Sequence, residues 1–576
     1  MKTNVPLVLV SLVLFAAPLC AAPLCAISPP DDSPYHWNSP VADSALLAQQ
    51  LSAQMSDEQA LAQTFMLAWF GAEPSPLIID WIVRRNIGGV KIFGWNTDDT
   101  LRLAQTVGEM QRNALACEWG IPLLVSTDQE GGMVRHVRGE TSQTPGNMAI
   151  GASGRSSDAY YSGYFIGREL ALLGINMNFA PTVDLHTNRN STVIGVRSFG
   201  DDPVRAAVLG AAFARGQRKW GVISTAKHFP GHGDTPLDSH GSLPRVNAPF
   251  ETLWERELVP YRMLILEGVP AVMSGHLAFP NTQAGGTPAS LSPWFLQDIL
   301  RDKMNFQGII ITDDLLMLGA LEYTRNIPQT IRQALSAGND MIMLSNTPQL
   351  NDEIWTYLIT SMHSDPVFRE RVRDASRRVL QLKLEHLRGA HAVTFEPDLE
   401  TIAAGLRLPE GDDFFLSLAA RSVTVVPGAS GATPFPLTPE NSGRVLLAGA
   451  GQFEDFFETG RTAFPGAAVF DINSGTNRGA AAFAAAVRNA DTVIFCLSNR
   501  AGIAALQSIR TAAQESGTTV IVVSVLNPVY LEEATWVDGA VAIYSYAPVS
   551  FIAGFSVILG RISGEGKFPF SSKNKL

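Results

Sequence analysis

The chain has 576 residues, of which 46% are hydrophobic and 17% charged, with 49 Gly, 35 Pro and four Cys. That balance excludes a disordered chain and a disulfide scaffold, and its length suits two substantial domains better than one. A formal net charge of -11 with 43 Lys+Arg leaves no excess of cations to neutralise phosphates, so a nucleic-acid partner is disfavoured.

Lys2 precedes an apolar stretch from Val5 to Ala17. It is too short for a membrane span of about 20 residues and right for a secretory h-region, so residues 1–27 read as a signal peptide. Cys20 and Cys25 follow, each preceded by Leu where a lipoprotein signal carries Gly or Ala. The alternatives are cleavage before about Ser28 and a lipid anchor on a cysteine; both place the protein outside the cytoplasm, in a periplasm or on a cell surface. Cys117 and Cys496 read as buried apolar residues, and no later segment reads as a stable membrane span.

From Ala62 to Ser345 eight short apolar runs alternate with helical periodicity: QTFMLAWFG, GGVKIFG, PLLVSTDQEGG, INMNFAPTVD, VISTAKHFPGHG, PAVMSGHL, GIIITDDL and NDMIMLS. Eight buried strands interleaved with helices predict an α/β fold, a (β/α)8 TIM-type barrel over residues 45–388, with an open doubly wound sheet as the alternative. Polar residues stand at the run ends: Asp128, Asp184, Lys227 with His228, His276 and Asp313. In a barrel those ends share the face on which chemistry is done.

Residues 389–409 have weaker patterning and read as a linker. Residues 410–576 follow as a smaller α/β sandwich domain, with strand runs RSVTVVP, RVLLAGAG, DTVIFCLS, TTVIVVSVLNP and GAVAIYSYA. Gly449 and Gly451 follow the second of these, but Glu454 stands where a dinucleotide fingerprint needs its third Gly; a tight turn explains the pair, and no cofactor is called for. No heptad or other interface run speaks to oligomeric state.

The densest segment is KHFPGHGDTPLDSHGSLP, Lys227 to Pro244, with three of the ten histidines. Gly231 and Gly233 permit a sharp path that returns Asp238 and His240 above the mouth. Three readings stand. His228, His232, Asp234, Asp238 and His240 are good ligands for zinc, as in a metal-dependent hydrolase; Asp238 and His240 suit a dyad whose carboxylate sets the imidazole tautomer for proton shuttling; or the loop is merely polar. In GIIITDDLLMLGA, Asp313 is the first charged group after the apolar run, and Asp314 is its competitor, with a helix N-terminal charge as its plain role. A carboxylate nucleophile and a separate proton donor are what cleavage of an acetal requires.

LLVSTDQEGG, IGVRSFG, KHFPGHGDT, DSH and ITDDL, in this order, resemble glycoside hydrolase family 3, and DSH after KHFPGHGDT resembles its bacterial β-N-acetylhexosaminidase branch. The likeness covers about Ala45 to Leu387, and more weakly the second domain, whose LGRISGEGKFPF is similar to the close of two-domain members. The resemblance implies that Asp313 is the nucleophile, His240 the general acid and base, and Asp238 its orienting partner. It further implies sugar contacts from Asp128, Arg197, Lys227 and His228, with His136 at the position of a further sugar contact, and a carbohydrate substrate. Their plain alternatives are an Asp128–Arg197 ion pair at the rim and a Lys227 that neutralises Asp313. One departure concerns the family's DQEGG-Arg-Val-x-Arg: this chain has Met133, Val134, Arg135 and His136, so His136 stands where relatives place an arginine, with Arg135 or Arg138 as candidates to compensate. The expected activity is that of a retaining exo-β-N-acetylglucosaminidase acting on peptidoglycan fragments or chitin-type oligosaccharides. A phosphorylase or β-glucosidase of the same family is the nearest alternative, since an imidazole acid removes one negative charge from the path of phosphate. Further off lies a catalytically dead carbohydrate-binding module.

Overall fold

The computed structural model describes residues 35–473 and 479–571; the signal-peptide segment and its two cysteines lie outside the described residues. Eight parallel strands close into a barrel: β1 (Phe65–Ala68), β2 (Gly89–Lys91), β3 (Leu124–Thr127), β4 (Met177–Asn178), β5 (Ile223–Phe229), β6 (Ala271–Ser274), β7 (Ile309–Asp314) and β8 (Met341–Leu344). Each of the eight apolar runs holds one strand, and β8 pairs with β1 in parallel through Phe65 and Ile342. The open-sheet alternative is thereby excluded.

The strands read as continuous apolar runs because both of their faces are covered. Met66, Leu124, Met177, Ile223, Met273, Ile311 and Met341 point into the barrel interior and pack together. Phe65, Leu67, Val90 and Val125, at alternating positions, pack outward against the helices. Unbranched methionine side chains suit the tapering interior, where a β-branched residue at every position leaves gaps. The helices are capped by side chains: Asp202 accepts from Val204 and Arg205 at the start of helix Pro203–Arg218, which carries Pro at its first position.

The second domain is a six-stranded sheet: β9 (Thr424–Pro427), β10 (Val445–Gly449), β11 (Ala468–Asp471), β12 (Thr492–Leu497), β13 (Thr519–Ser524) and β14 (Gly539–Ala542). The spatial order is β9-β14-β13-β12-β10-β11, with only β9 antiparallel to its neighbour. Helices cover both faces, each over its own apolar layer. β11 is an addition to the five strands expected; it is a four-residue edge strand with Ala468 and Val469 exposed, so it lacks the buried apolar run that marks the others.

The segment 389–409 carries the short helix Leu399–Gly405, and its Ile402 and Leu406 are buried in the outer core of the barrel. Val393 is buried there too, and three core side chains at irregular spacing reveal no period. The domains are bound to one another: Arg421 pairs with Asp158 at 2.7 Å, Arg189 with Glu532, and the Asp201 amide donates to the Pro569 carbonyl at 3.0 Å. Among the described residues no helix is long and apolar enough to cross a membrane.

Candidate active site

The carboxyl ends of the strands gather a compact charge cluster. Asp128 follows β3, and its carboxylate binds Lys91 from the end of β2 at 2.7 Å and Lys227 from β5. Lys227 also reaches Glu130 at 2.7 Å. Glu130 takes a two-pronged hydrogen bond from Arg197, at 2.9 and 2.7 Å. Arg197 continues to the Val193 carbonyl at 3.0 Å and approaches His228 Nε2 at 3.4 Å. Arg197 thus pairs with Glu130, not Asp128, and Lys227 neutralises Asp128 and Glu130, not Asp313.

Burial works against these charges; the partners outweigh it for Asp128 and Glu130, whereas burial wins at Lys91 and lowers its pKa. Desolvation raises the pKa of Asp128, yet Lys227 and Lys91 hold it well below the usual carboxylate range. Glu130, also buried, is brought down to about 2 by Arg197 and Lys227. Asp128 and Glu130 are therefore ionised at neutral pH. Substituting Lys227→Met leaves two buried anions short of a cation, and loss of one partner from such a set costs about 3 to 5 kcal/mol. Chemical denaturation is expected to read a loss of that order; a change below about 1 kcal/mol disproves the pairing as a stabilising element.

The sign of the pH dependence follows. A folded-state value near 2 against 4.5 unfolded means that the unfolded chain binds the extra proton, so stability rises with pH across this interval. The Glu130 contribution is present above about pH 4.5 and is lost as pH falls toward 2. The thermal midpoint is expected to drop over that window, and Glu130→Gln is expected to flatten the drop; an unchanged slope in the variant contradicts the assignment.

A second network sets the imidazoles. Asp184, buried after β4, accepts from His228 Nδ1 at 2.7 Å and from the His232 amide at 2.7 Å. His232 Nε2 meets Ser239 Oγ at 3.2 Å. Gly233 packs its Cα against the Leu185 carbonyl, where any side chain collides with backbone. The loop then crosses β6 and docks beside β7: the Gly319 amide donates to the Ser239 carbonyl at 3.0 Å, and the Leu243 amide to Glu322 at 2.9 Å. At its crest His240 Nδ1 bonds Asp238 Oδ1 at 2.7 Å, and the His240 amide donates to the same oxygen at 2.9 Å. The His240 side chain is 70% exposed.

Asp313 ends β7 at the barrel mouth, partly buried, and its Oδ1 accepts from the Asp314 amide at 2.8 Å. Burial raises it, but His228 and His276 win and hold it below the ordinary aspartate value. Asp314 acts differently. Its Oδ1 accepts from the Leu316 and Ser345 amides, each at 3.1 Å, tying β7 to the end of β8, and burial pushes its pKa up. His276 Nε2 bonds the Asp314 carbonyl at 3.0 Å.

The buried cluster therefore brings Asp128, Arg197, Lys227 and His228 together beneath the mouth that Asp313 faces. The Asp238–His240 dyad stands apart on the rim, open to solvent. His136 lies 3.7 Å from Asp128 and 3.4 Å from Lys91 through Nδ1; burial and the Lys91 ammonium push it down to about 4, so the imidazole is neutral at neutral pH. Arg135 does not compensate, since its guanidinium is held by Thr141 at 2.8 Å. Of the five residues of the zinc reading, His228 and the His232 amide bond Asp184, Asp238 and His240 bond each other, and Asp234 pairs with Arg256. Among the described residues no group of three or more His, Cys, Asp or Glu is arranged to hold a metal.

Glu130 and Lys91 join the site without having been singled out by their place in the sequence. Glu130 lies two residues beyond Asp128 on the same face of the hairpin strand Gln129–Gly131, and Lys91 is the one charge in GGVKIFG, both fully buried. A lone charge inside an apolar strand run is the available signal.

The family model for the glycosyl hydrolase family 3 N-terminal domain matches residues 58–382. β-Hexosaminidase A of Pseudoalteromonas piscicida is 32% identical over 329 residues, 54% of this chain and 55% of its own, so the chain spans about half the length of that relative. The β-hexosaminidase of Tolumonas auensis is 39% identical over 264 residues, 45% of this chain and 76% of its own. Among solved structures, the family 3 β-N-acetylglucosaminidase of Paenibacillus sp. FPU-7 aligns with a TM-score of 0.80 at 29% identity, covering 90% of this chain and 99% of that one. The barrel, the charge cluster at its mouth and these likenesses agree: the chain belongs to glycosyl hydrolase family 3.

Proposed function

We propose that the protein is a retaining exo-β-N-acetylglucosaminidase, exported from the cytoplasm, that removes terminal N-acetylhexosamine from peptidoglycan fragments or chitin-type oligosaccharides. The observation that supports the reading is that the loop carrying the Asp238–His240 dyad docks on the helix that follows β7, the strand that carries Asp313, whose carboxyl is held below the ordinary aspartate value. Its relatives named β-hexosaminidase support the sugar assignment.

In the first step a carboxylate oxygen of Asp313 attacks the anomeric carbon, the bond from that carbon to the leaving oxygen breaks, and protonated His240 gives its proton to that oxygen. In the second step water attacks the same carbon, the Asp313 ester bond breaks, and neutral His240 takes the water proton. Asp238 holds Nδ1, which leaves Nε2 for the transfer in both directions. Asp128, fixed by two lysines, has the acceptor capacity to bind sugar hydroxyls.

The test is a panel of 4-nitrophenyl glycosides followed by NMR at early times. Release from the β-N-acetylglucosaminide with the β-anomer formed first is expected; the α-anomer as first product overturns the covalent route, and preference for the β-glucoside overturns the sugar assignment. An imidazole acid in place of a carboxylate favours one second reading, phosphorolysis, because a phosphate anion meets less repulsion at the intermediate. Formation of sugar 1-phosphate on adding inorganic phosphate distinguishes it.

A further inference from the structure

An aromatic row leaves the charge cluster and runs outward over the loops after β1 and β2. His136, Phe93, Trp95 and Phe70 follow one another with ring centroids 5.3, 4.5 and 5.2 Å apart. The Phe93–Trp95 and Trp95–Phe70 pairs are nearly parallel, at 13° and 25°. The inner end joins the site, since the Lys91 ammonium that binds Asp128 lies 4.5 Å over the Phe93 ring. The outer end is open: Trp95 is 43% exposed and Phe70 68%.

The row is held rigidly. Trp95 Nε1 donates to the Trp69 carbonyl at 2.8 Å, and Asn96 Nδ2 donates to the carbonyls of Trp69 at 3.1 Å and Gly71 at 2.6 Å. The Phe93 amide donates to Asn96 Oδ1 at 2.9 Å, and Thr97 Oγ1 to the His136 carbonyl at 2.6 Å. These bonds tie three mouth loops into one surface whose polar groups are already satisfied, while its rings remain in water. A contiguous exposed aromatic surface beside a binding cleft marks a contact for a ligand.

The chemistry names the ligand. A pyranose carries its hydroxyls at the ring edge and presents a patch of C–H groups on its face, so an uncharged ring surface accepts that face and leaves the hydroxyls hydrated. We propose that Phe70 and Trp95 form a subsite for a sugar ring beyond the one held in the pocket, so that the enzyme favours oligosaccharides over simple glycosides. The subsite rests on the glycosidase reading above and involves none of the residues assigned to bond cleavage.

The experiment compares wild type, Phe70→Ala, Trp95→Ala and the double variant on 4-nitrophenyl β-N-acetylglucosaminide and on tetra-N-acetylchitotetraose. Each single variant is expected to raise KM for the tetrasaccharide about threefold to tenfold, while kcat/KM for the aryl glycoside stays within about twofold. Release of the monosaccharide as first product, with the raised KM, places the extra ring on the leaving side and supports the subsite; release of a disaccharide overturns it together with the exo reading on which it rests. Equal loss on both substrates, or no loss on either, overturns it while the glycosidase reading stands. Failure of wild type to cleave either substrate overturns both.

Discussion

Asp313→Ala is expected to lose turnover by about four orders of magnitude or more, the scale seen when a covalent nucleophile is removed. Asp313 lies next to Thr312, the last residue of β7 paired with β6, and the substitution leaves the Asp314 ties to β8 in place. Among the described residues the neighbouring carboxylates already have partners. Asp128 and Glu130 are neutralised by Lys91, Lys227 and Arg197, and Asp314 has its Oδ1 accepting from two backbone amides. His228 and His276 keep Asp313 ionised, which a nucleophile needs. Adding azide is expected to restore turnover of an activated aryl glycoside and to yield the α-azide, since one displacement replaces two. Residual activity within about tenfold of wild type, or a β-azide, assigns the nucleophile elsewhere.

His240→Ala is expected to divide substrates by leaving group. General acid assistance is worth about 10²- to 10⁴-fold, and it matters where the departing oxygen is basic. Turnover of oligosaccharides should fall by that factor, while a dinitrophenyl glycoside, whose leaving group departs unaided, should form its glycosyl-enzyme at nearly the wild-type rate. Asp238→Asn should reproduce the pattern more weakly, because the 2.7 Å bond to Nδ1 sets the tautomer without touching substrate. The dyad sits on an exposed crest and contributes little to folding, so a uniform loss across leaving groups cannot be put down to misfolding. It instead refutes the acid role.

The barrel is legible because parallel strands covered on both faces must be written as short apolar runs, and β1 to β8 each occupy one. β11 is not legible, because half of an edge strand faces water and dilutes the pattern. Helix Leu399–Gly405 escapes for a similar reason: it buries only Ile402. At the site, Asp128, Lys227, His228 and Asp313 are visible as polar residues ending apolar runs. Glu130 and Lys91 lie in the same stretches, and nothing in a linear spacing says that a buried carboxylate and a buried ammonium from different strands meet.

Residue order alone determined the eight barrel strands, the family likeness and the polar residues at their ends, since those depend on local periodicity and short motifs. Only the tertiary structure decided the pairing of charges: that Arg197 serves Glu130, that Lys227 serves Asp128 and Glu130, that Arg135 turns away to Thr141, and that Phe93, Trp95 and Phe70 align. The reason is geometric. Coulomb and stacking interactions act over a few ångströms between groups separated by up to about a hundred residues, and barrel closure sets those distances.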